Sequence, residues 1–287
     1  MIKKYDIEWV SSIDASNKEK LEALSNRMRN FYATNSSYYA DIADSESLWI
    51  DENYFPLQEI LNNTQKASNI LEIGCGQSPI LKFYPDLKSK YTGIDFSNYI
   101  ISDNKKRFPE AEFYQILDPY NYSLVSGSFD LVFSIFVIEH TVFPQKFLEE
   151  CIRLLKPNGR LIILAPSYLD YGTLASQQTS PDLSSGRELI KKGKFFSALR
   201  AGFYSKVLIP IKSRSLKKHL PGFYINLNPI CFIINQFRPD VDAVYIVSEK
   251  EIELYMKSRG FQKKKNSQKI KNFITNRRLC FQIYKKG

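Results

Sequence analysis

Histidine is nearly absent from this chain: among 287 residues only His140 and His219 occur. The four cysteines, Cys75, Cys151, Cys231 and Cys280, are far apart. Together these shortages exclude a metal centre with the usual Cys/His spacing and a disulfide framework. The thiols are expected to be reduced. No run approaches eighteen apolar residues, so no transmembrane helix is expected. The opening residues Met1 to Asp6 lack the apolar core of a signal peptide, and a cytoplasmic location is predicted. There is neither an internal repeat nor a low-complexity tract.

Hydrophobic residues make up 44% and charged residues 24%, a composition that can bury a substantial core. The length suits one large domain or one domain with a sizeable insertion. The net charge of +10 is unevenly placed. Residues 1–165 hold 17 Lys+Arg against 22 Asp+Glu, a net of −5, whereas residues 166–287 hold 23 against 8, a net of +15. The basic surface therefore belongs to the second half, and three readings of it stand open: solvated surface, an anion-attracting cover over a site, or a nucleic-acid or membrane face.

The most informative stretch is Asn69 to Pro79. Ile70, Leu71 and Ile73 read as a buried strand that runs straight into Gly74-Cys75-Gly76, a junction that lets backbone approach a small ligand closely. A nicotinamide-dinucleotide turn would place a small residue three positions after the second glycine, but Pro79 stands there, and acidic Glu72 replaces the apolar residue usual at that strand end. Leu71-Glu72-Ile73-Gly74-Cys75-Gly76 resembles instead the first motif of the class I S-adenosylmethionine (SAM)-dependent methyltransferases. About twenty residues on, a second strand ends in Asp95, which reads either as a ribose-diol acceptor or as a helix cap before Phe96-Ser97.

Ser16-Asn17-Lys18-Glu19 has the form of a capping box, with Leu21, Leu24 and Met28 following at helical spacing, so a helix is predicted over about 17–31. A second is predicted over about 45–62, within an aromatic segment (Tyr32, Tyr38, Tyr39, Trp49, Tyr54, Phe55) that either folds over substrate or covers the sheet edge. Strands at 69–73, 91–95, 111–116, 129–136 and 160–165 then alternate with helices at about 79–84, 97–107 and 144–155, the pattern of a parallel sheet covered on both faces. Lys156-Pro157-Asn158-Gly159 reads as a turn. Residues 166–240 break the rhythm and are too long for a plain loop, so they are expected to carry helices. Ser248-Glu249-Lys250-Glu251 is a second capping box, Gly260 a helix stop, and Phe261–Lys265 and Leu279–Tyr284 are predicted strands joined by an exposed hairpin.

This layout matches the class I methyltransferase fold: α/β, Rossmann-like, a seven-stranded mostly parallel sheet with an antiparallel last strand, N-terminal helices, and an insertion after the fifth strand. The chain divides into an N-terminal helical segment (1–64), a SAM-binding core (65–165), an insertion covering the substrate (166–240), and a C-terminal part completing the core (241–287). The resemblance implies SAM as cofactor, held by Glu72, Gly74, Cys75, Gly76, Asp95, Phe96, Asp118 and Ile135, with Phe96 over the adenine and Asp118 near its amine. Asp118 before Pro119 also has the form of a turn former, but its place after the third strand, where the family pattern expects an acid, favours the donor role. The ending Ile138-Glu139-His140 is shared by members acting on small molecules. His140, with Glu139 beside it, is the predicted acid–base residue, since imidazole suits proton transfer near neutrality. The expected acceptor is a small molecule methylated at a hydroxyl oxygen, with phosphorylated, sugar or lipid-linked acceptors in view and peripheral membrane contact open. An RNA or protein methyltransferase is the alternative, and a non-catalytic interaction module a third.

Overall fold

A computed structural model of the chain describes residues 8–34, 46–174, 184–229 and 242–286. The chain enters through β1 (Trp9–Ser11), α1 (Lys18–Thr34), α2 (Glu46–Ile50) and α3 (Phe55–Thr64). The core follows as β2 (Ile70–Ile73), α4 (Pro79–Phe83), β3 (Tyr91–Asp95), α5 (Asn98–Arg107), β4 (Glu112–Gln115), β5 (Phe129–Ile135), α6 (Pro144–Leu154) and β6 (Leu155–Pro166). Helices α7 (Tyr168–Tyr171), α8 (Gly186–Lys191), α9 (Phe195–Phe203) and α10 (Ile209–Leu216) come next, with strand β7 (Tyr224–Asn226). The chain closes with α11 (Glu249–Ser258), β8 (Phe261–Lys263), α12 (Gln268–Arg277) and β9 (Leu279–Lys286).

Seven strands form one sheet in the order β4-β3-β2-β5-β6-β9-β8. Strands β2 to β6 pair in parallel, while β9 runs antiparallel between β6 and β8. The chain winds outward from β2 through β3 to β4, then restarts on the other side of β2 with β5. That reversal leaves a crevice at the carboxyl ends of β2 and β5, where open α/β sheets bind ligands. Strand side chains alternate between two cores: Leu71, Ile73, Val132 and Ile163 face α1, α6 and α11, whereas Ile70, Leu131, Phe133 and Ile162 face α3, α5 and α12. Both faces are therefore dry, which explains why these strands read as continuous apolar runs.

Several local expectations are corrected. The capping box at Ser16 does not form; Asp14 instead accepts from Ser16 N and starts a 3-10 turn ahead of α1. The helix expected over 45–62 is split into α2 and α3, with Tyr54 at the second start and Pro56 in its first turn, a position where the missing N–H costs nothing. Lys156 to Gly159 lie within β6 as a bulge: Phe129 pairs with Leu155 but Leu131 with Arg160, and Asn158 takes φ +62°. The expected basic hairpin between the last strands is helix α12, capped by the Ser267 hydroxyl accepting from Ile270 N. Its buried Ile270 and Ile274, four apart, were hidden among lysines and asparagines.

The residues after β6 pack as a unit of their own. Trp9, Tyr168, Leu169, Ile209, Tyr224, Ala243 and Ile246 form a third apolar cluster, and β7 pairs antiparallel with β1. Glu251 of α11 ties this unit to the sheet domain by accepting from Gly222 N (2.6 Å), Phe223 N (2.8 Å) and the Tyr245 hydroxyl (2.7 Å). Of the aromatic N-terminal segment, Trp49 and Tyr54 pack in the core beside α3, Tyr32 points to the crevice, and Tyr38 and Tyr39 lie outside the described residues. Cys75, Cys151 and Cys280 are buried free thiols, and Cys231 also lies outside the described residues. Among the described residues no helix is long and apolar enough to cross a membrane.

Candidate active site

The glycine turn after β2 is built from left-handed residues: Gly74 (φ +70°), Gly76 (φ +47°) and Ser78 (φ +49°). Gly74 N and Cys75 N both donate to Ile94 O of the neighbouring strand, at 2.8 and 3.0 Å. Asn104 of α5 locks the far side by donating to Gly76 O (2.7 Å), and the Tyr91 hydroxyl oxygen, 3.2 Å from the Ser78 hydroxyl, accepts from it and holds a non-glycine residue in a strained conformation. A Cβ on Gly74 would lie 2.5 Å from Val137, whereas beside Gly76 there is nothing within 4 Å. The turn is closed beneath the first glycine and open beside the second.

Asp95, at the end of β3, accepts from Gly76 N (3.0 Å) through one oxygen and from Ser97 N (3.1 Å) through the other. It thus joins the glycine turn to the start of α5, and Ser97 caps that helix. Phe96 follows and lines the crevice together with Gly74, Ile116, Pro119, Tyr120, Val137, His140 and, from α1, Tyr32. The enclosed volume is about 60 Å³, room for a few waters, because the Tyr32 ring lies 6.2 Å from Phe96 and near-parallel to it. A larger cleft of about 420 Å³, lined by Asn69, Lys90 and Glu112, opens at the amino ends of the strands, away from the switch point.

Glu72 is buried beneath the turn and accepts from the Tyr91 hydroxyl. Burial pushes its carboxyl up to about 8, opposed by the Tyr91 bond and assisted by the nearby Asp95 charge. The folded protein therefore holds a proton that the unfolded chain releases near 4.5, and stability should fall as pH rises between those values. The ceiling on that loss is about 1.4 kcal/mol per pH unit. We expect Glu72→Gln to melt above the parent at pH 8 and to show a flatter stability profile from pH 6 to 8. Parallel profiles would place the proton elsewhere.

On the other side of the crevice, His140 closes the short turn after β5. Its Nδ1 lies 3.4 Å from Asp242 Oδ2 and its Nε2 3.9 Å from Glu139 Oε1. Both carboxylates are fully buried. Tyr32 donates to Asp242 Oδ2 at 2.6 Å and packs edge-on against the His140 ring. Asp242 arrives on the segment returning from the insertion, where Val244 N and Tyr245 N donate to Glu139 O. Glu72, Asp95, Glu139 and Asp242 are four buried carboxyl groups on the elements that border the crevice, Glu72 holding its proton at neutral pH. Among the described residues no group of three or more side chains is arranged to hold a metal.

Of the residues singled out from sequence, Gly74, Phe96 and His140 line the crevice, and Asp95 and Gly76 are bonded at its rim. Cys75 turns its sulfur toward Gly93 and Asn104. Asp118 is exposed and accepts from Tyr120 N, the turn-forming geometry, while Ile135 packs with the opposite core. Asp242 was not identified from sequence, whereas Tyr32 belongs to the aromatic segment read as folding over substrate or covering the sheet edge. One signal existed for the former: between Glu188 and Glu249 the only acidic residues are Asp240 and Asp242.

A family profile described as a methyltransferase domain matches residues 71–163, the span from the glycine turn to β6. By this match residues 71–163 carry a methyltransferase domain. Among curated proteins it is similar to a probable SAM-dependent methyltransferase of Mycolicibacterium smegmatis, with 23% identity over 44% of this chain and 48% of that protein. It is also similar to a ubiquinone biosynthesis O-methyltransferase of Nitrosococcus oceani, with 29% identity over 39% of this chain and 49% of that one. The chain spans about half the length of these relatives. A SAM-dependent methyltransferase structure from Mesorhizobium loti shares the fold with a TM-score of 0.51 at 12% identity, covering 83% of this chain and all of that one. The crevice fits the donor that such a domain uses: open space beside Gly76, a carboxylate at the β3 end for a diol, and the Phe96 ring on its wall. The methyltransferase domain accounts for residues 71–163; β7, α7 to α10 and Asp242 lie outside it.

Proposed function

We propose that the chain transfers a methyl group from SAM to a hydroxyl oxygen of a small molecule, with His140 receiving the acceptor's proton and Asp242 orienting the imidazole. The observation carrying this reading is the placement of His140 on the crevice wall beside Gly74 and Phe96, with a buried carboxylate at each ring nitrogen. SAM, when bound, supplies an electrophilic methyl on a good leaving group. With the acceptor oxygen taking that methyl and the carbon–sulfur electron pair left on sulfur, His140 would take up the acceptor's proton on its imidazole, while Asp242 would hold the ring in place. In-line positioning is the main demand of such a displacement. In this reading Gly74 and Gly76 approach the methionine end, Asp95 the ribose and Phe96 the adenine face.

Donor entry requires Tyr32 to leave the face of Phe96, since the present space is too small for a nucleoside. Its hydroxyl would then release Asp242. The similarity to a ubiquinone biosynthesis O-methyltransferase supports oxygen as the acceptor atom. The test is single-turnover methylation of a panel of phenols and alcohols with donor affinity measured separately. His140→Ala should lower the rate about 10²-fold or more with donor affinity intact. Asp242→Asn should lower it about tenfold, because an amide beside the ring does not stabilise the positive charge that the proton brings. A His140→Ala rate within a few-fold of the parent removes His140 from proton transfer.

A further inference from the structure

The strongest surface feature outside the methyltransferase domain is one helical run. From Phe195 to Leu216 the backbone is helical throughout, α9 leading into α10 through a π-helical turn at Tyr204–Leu208. Its inner side is anchored by Ala201 and Ile209, both buried, the latter in the cluster that contains Ala243 and Ile246. Its outer side carries Phe196, Leu199, Phe203, Val207 and Ile211, spaced three or four residues apart and therefore on one face. These side chains are left in water: Phe196 is 90% exposed, Leu199 70% and Ile211 57%. Folding gives such a row no benefit, and an exposed apolar row of this length marks a contact surface.

The charge around the row identifies the partner. Between Leu189 and Asn226 there are nine Lys and Arg residues and no Asp or Glu, and Lys191, Lys206, Arg214 and Lys218 are exposed. Two copies of this face would repel each other. Nucleic acid would match the charge, and Phe196 and Phe203 offer rings, but Leu199, Val207 and Ile211, which make up the rest of the row, give a base nothing to stack on. An anionic lipid surface matches both properties, taking the apolar row into the acyl boundary and the cations at the headgroups. We propose that the α9–α10 helix docks the protein on anionic membranes. Residues 1–165, with a net charge of −5, add no attraction of their own to such a surface. This binding does not depend on the methyl-transfer reading, and its test needs no turnover.

The experiment is co-sedimentation of the full chain with vesicles of equal parts phosphatidylglycerol and phosphatidylcholine, against phosphatidylcholine alone. Binding should require the anionic lipid and weaken in high salt. Phe196→Ser/Leu199→Ser/Phe203→Ser should reduce it about tenfold or more, and Lys206→Glu/Arg214→Glu/Lys218→Glu should do likewise, both retaining the parent's circular dichroism and melting temperature because the altered side chains are exposed. The proposal is overturned by a parent that ignores anionic vesicles, or by an apolar triple variant that binds them as well as the parent. It is equally overturned if the triple variant turns a parent dimer into a monomer while neither touches lipid, or if the parent binds RNA but not vesicles.

Discussion

Gly74→Ala should cost the protein about 30-fold or more in affinity for SAM while leaving the sheet domain folded. The backbone there has φ +70°, a conformation that costs an L side chain roughly 1–2 kcal/mol, and the new methyl would lie 2.5 Å from Val137 Cγ2. Val137 is β-branched and stiff at χ1, and it already lines the crevice, so the clash is relieved by driving it into the donor space. Overpacking of this kind adds about 1–3 kcal/mol. The double variant Gly74→Ala/Val137→Ala separates the two costs: it should recover most of the steric part and keep only the backbone part. Calorimetric titration of the three proteins is the measurement. Equal affinities for parent and Gly74→Ala would mean that the donor does not approach this turn.

The largest effect on stability is expected at Glu251. This carboxyl is fully buried and accepts from two backbone N–H groups and the Tyr245 hydroxyl, and burial raises its pKa against those three bonds. Glu251→Leu leaves three buried donors without an acceptor, each costing about 1–3 kcal/mol, so a loss of about 3 kcal/mol or more is predicted. Glu251→Gln, which keeps one oxygen, should lose less. The damage should spread, because Phe223 and Tyr245 flank the strand pairing that delivers Asp242 to His140. Urea unfolding at neutral pH gives the number, and a loss below about 1 kcal/mol would show that water replaces these bonds.

The sheet was legible in the sequence because its strands are buried on both faces, which turns each into a short apolar run bounded by glycine, asparagine or proline. The glycine turn and Asp95 were legible for a related reason: positive φ and close backbone approach restrict residue choice at Gly74 and Gly76, and the strand spacing fixes the acid. What was lost had a local signal that tertiary structure overrode. Ser16 lost its cap to Asp14, and the three apolar positions of α12, Ile270, Phe273 and Ile274, stand among lysines, asparagines and arginine that read as an exposed link. Glu251 looked like half of a capping box, yet its side chain turns away from Ser248 to hold Gly222 and Phe223. Asp242 could not be paired with His140 from sequence, since 101 intervening residues bring them together only through the return of the insertion. Asp118 shows the opposite case, where a family position with the right residue adopts the ordinary turn geometry.

The account rests on the crevice between Gly74, Asp95 and Phe96 being the donor site. Its most direct test is calorimetric titration of the full chain with SAM, S-adenosylhomocysteine and NAD, with Asp95→Ala as the paired variant. The account predicts one-to-one binding of both sulfur ligands, no binding of NAD, and a loss of about tenfold or more on Asp95→Ala, the size of a charged hydrogen bond to the diol. NAD binding without SAM binding, or SAM binding that a folded Asp95→Ala protein retains in full, would contradict it.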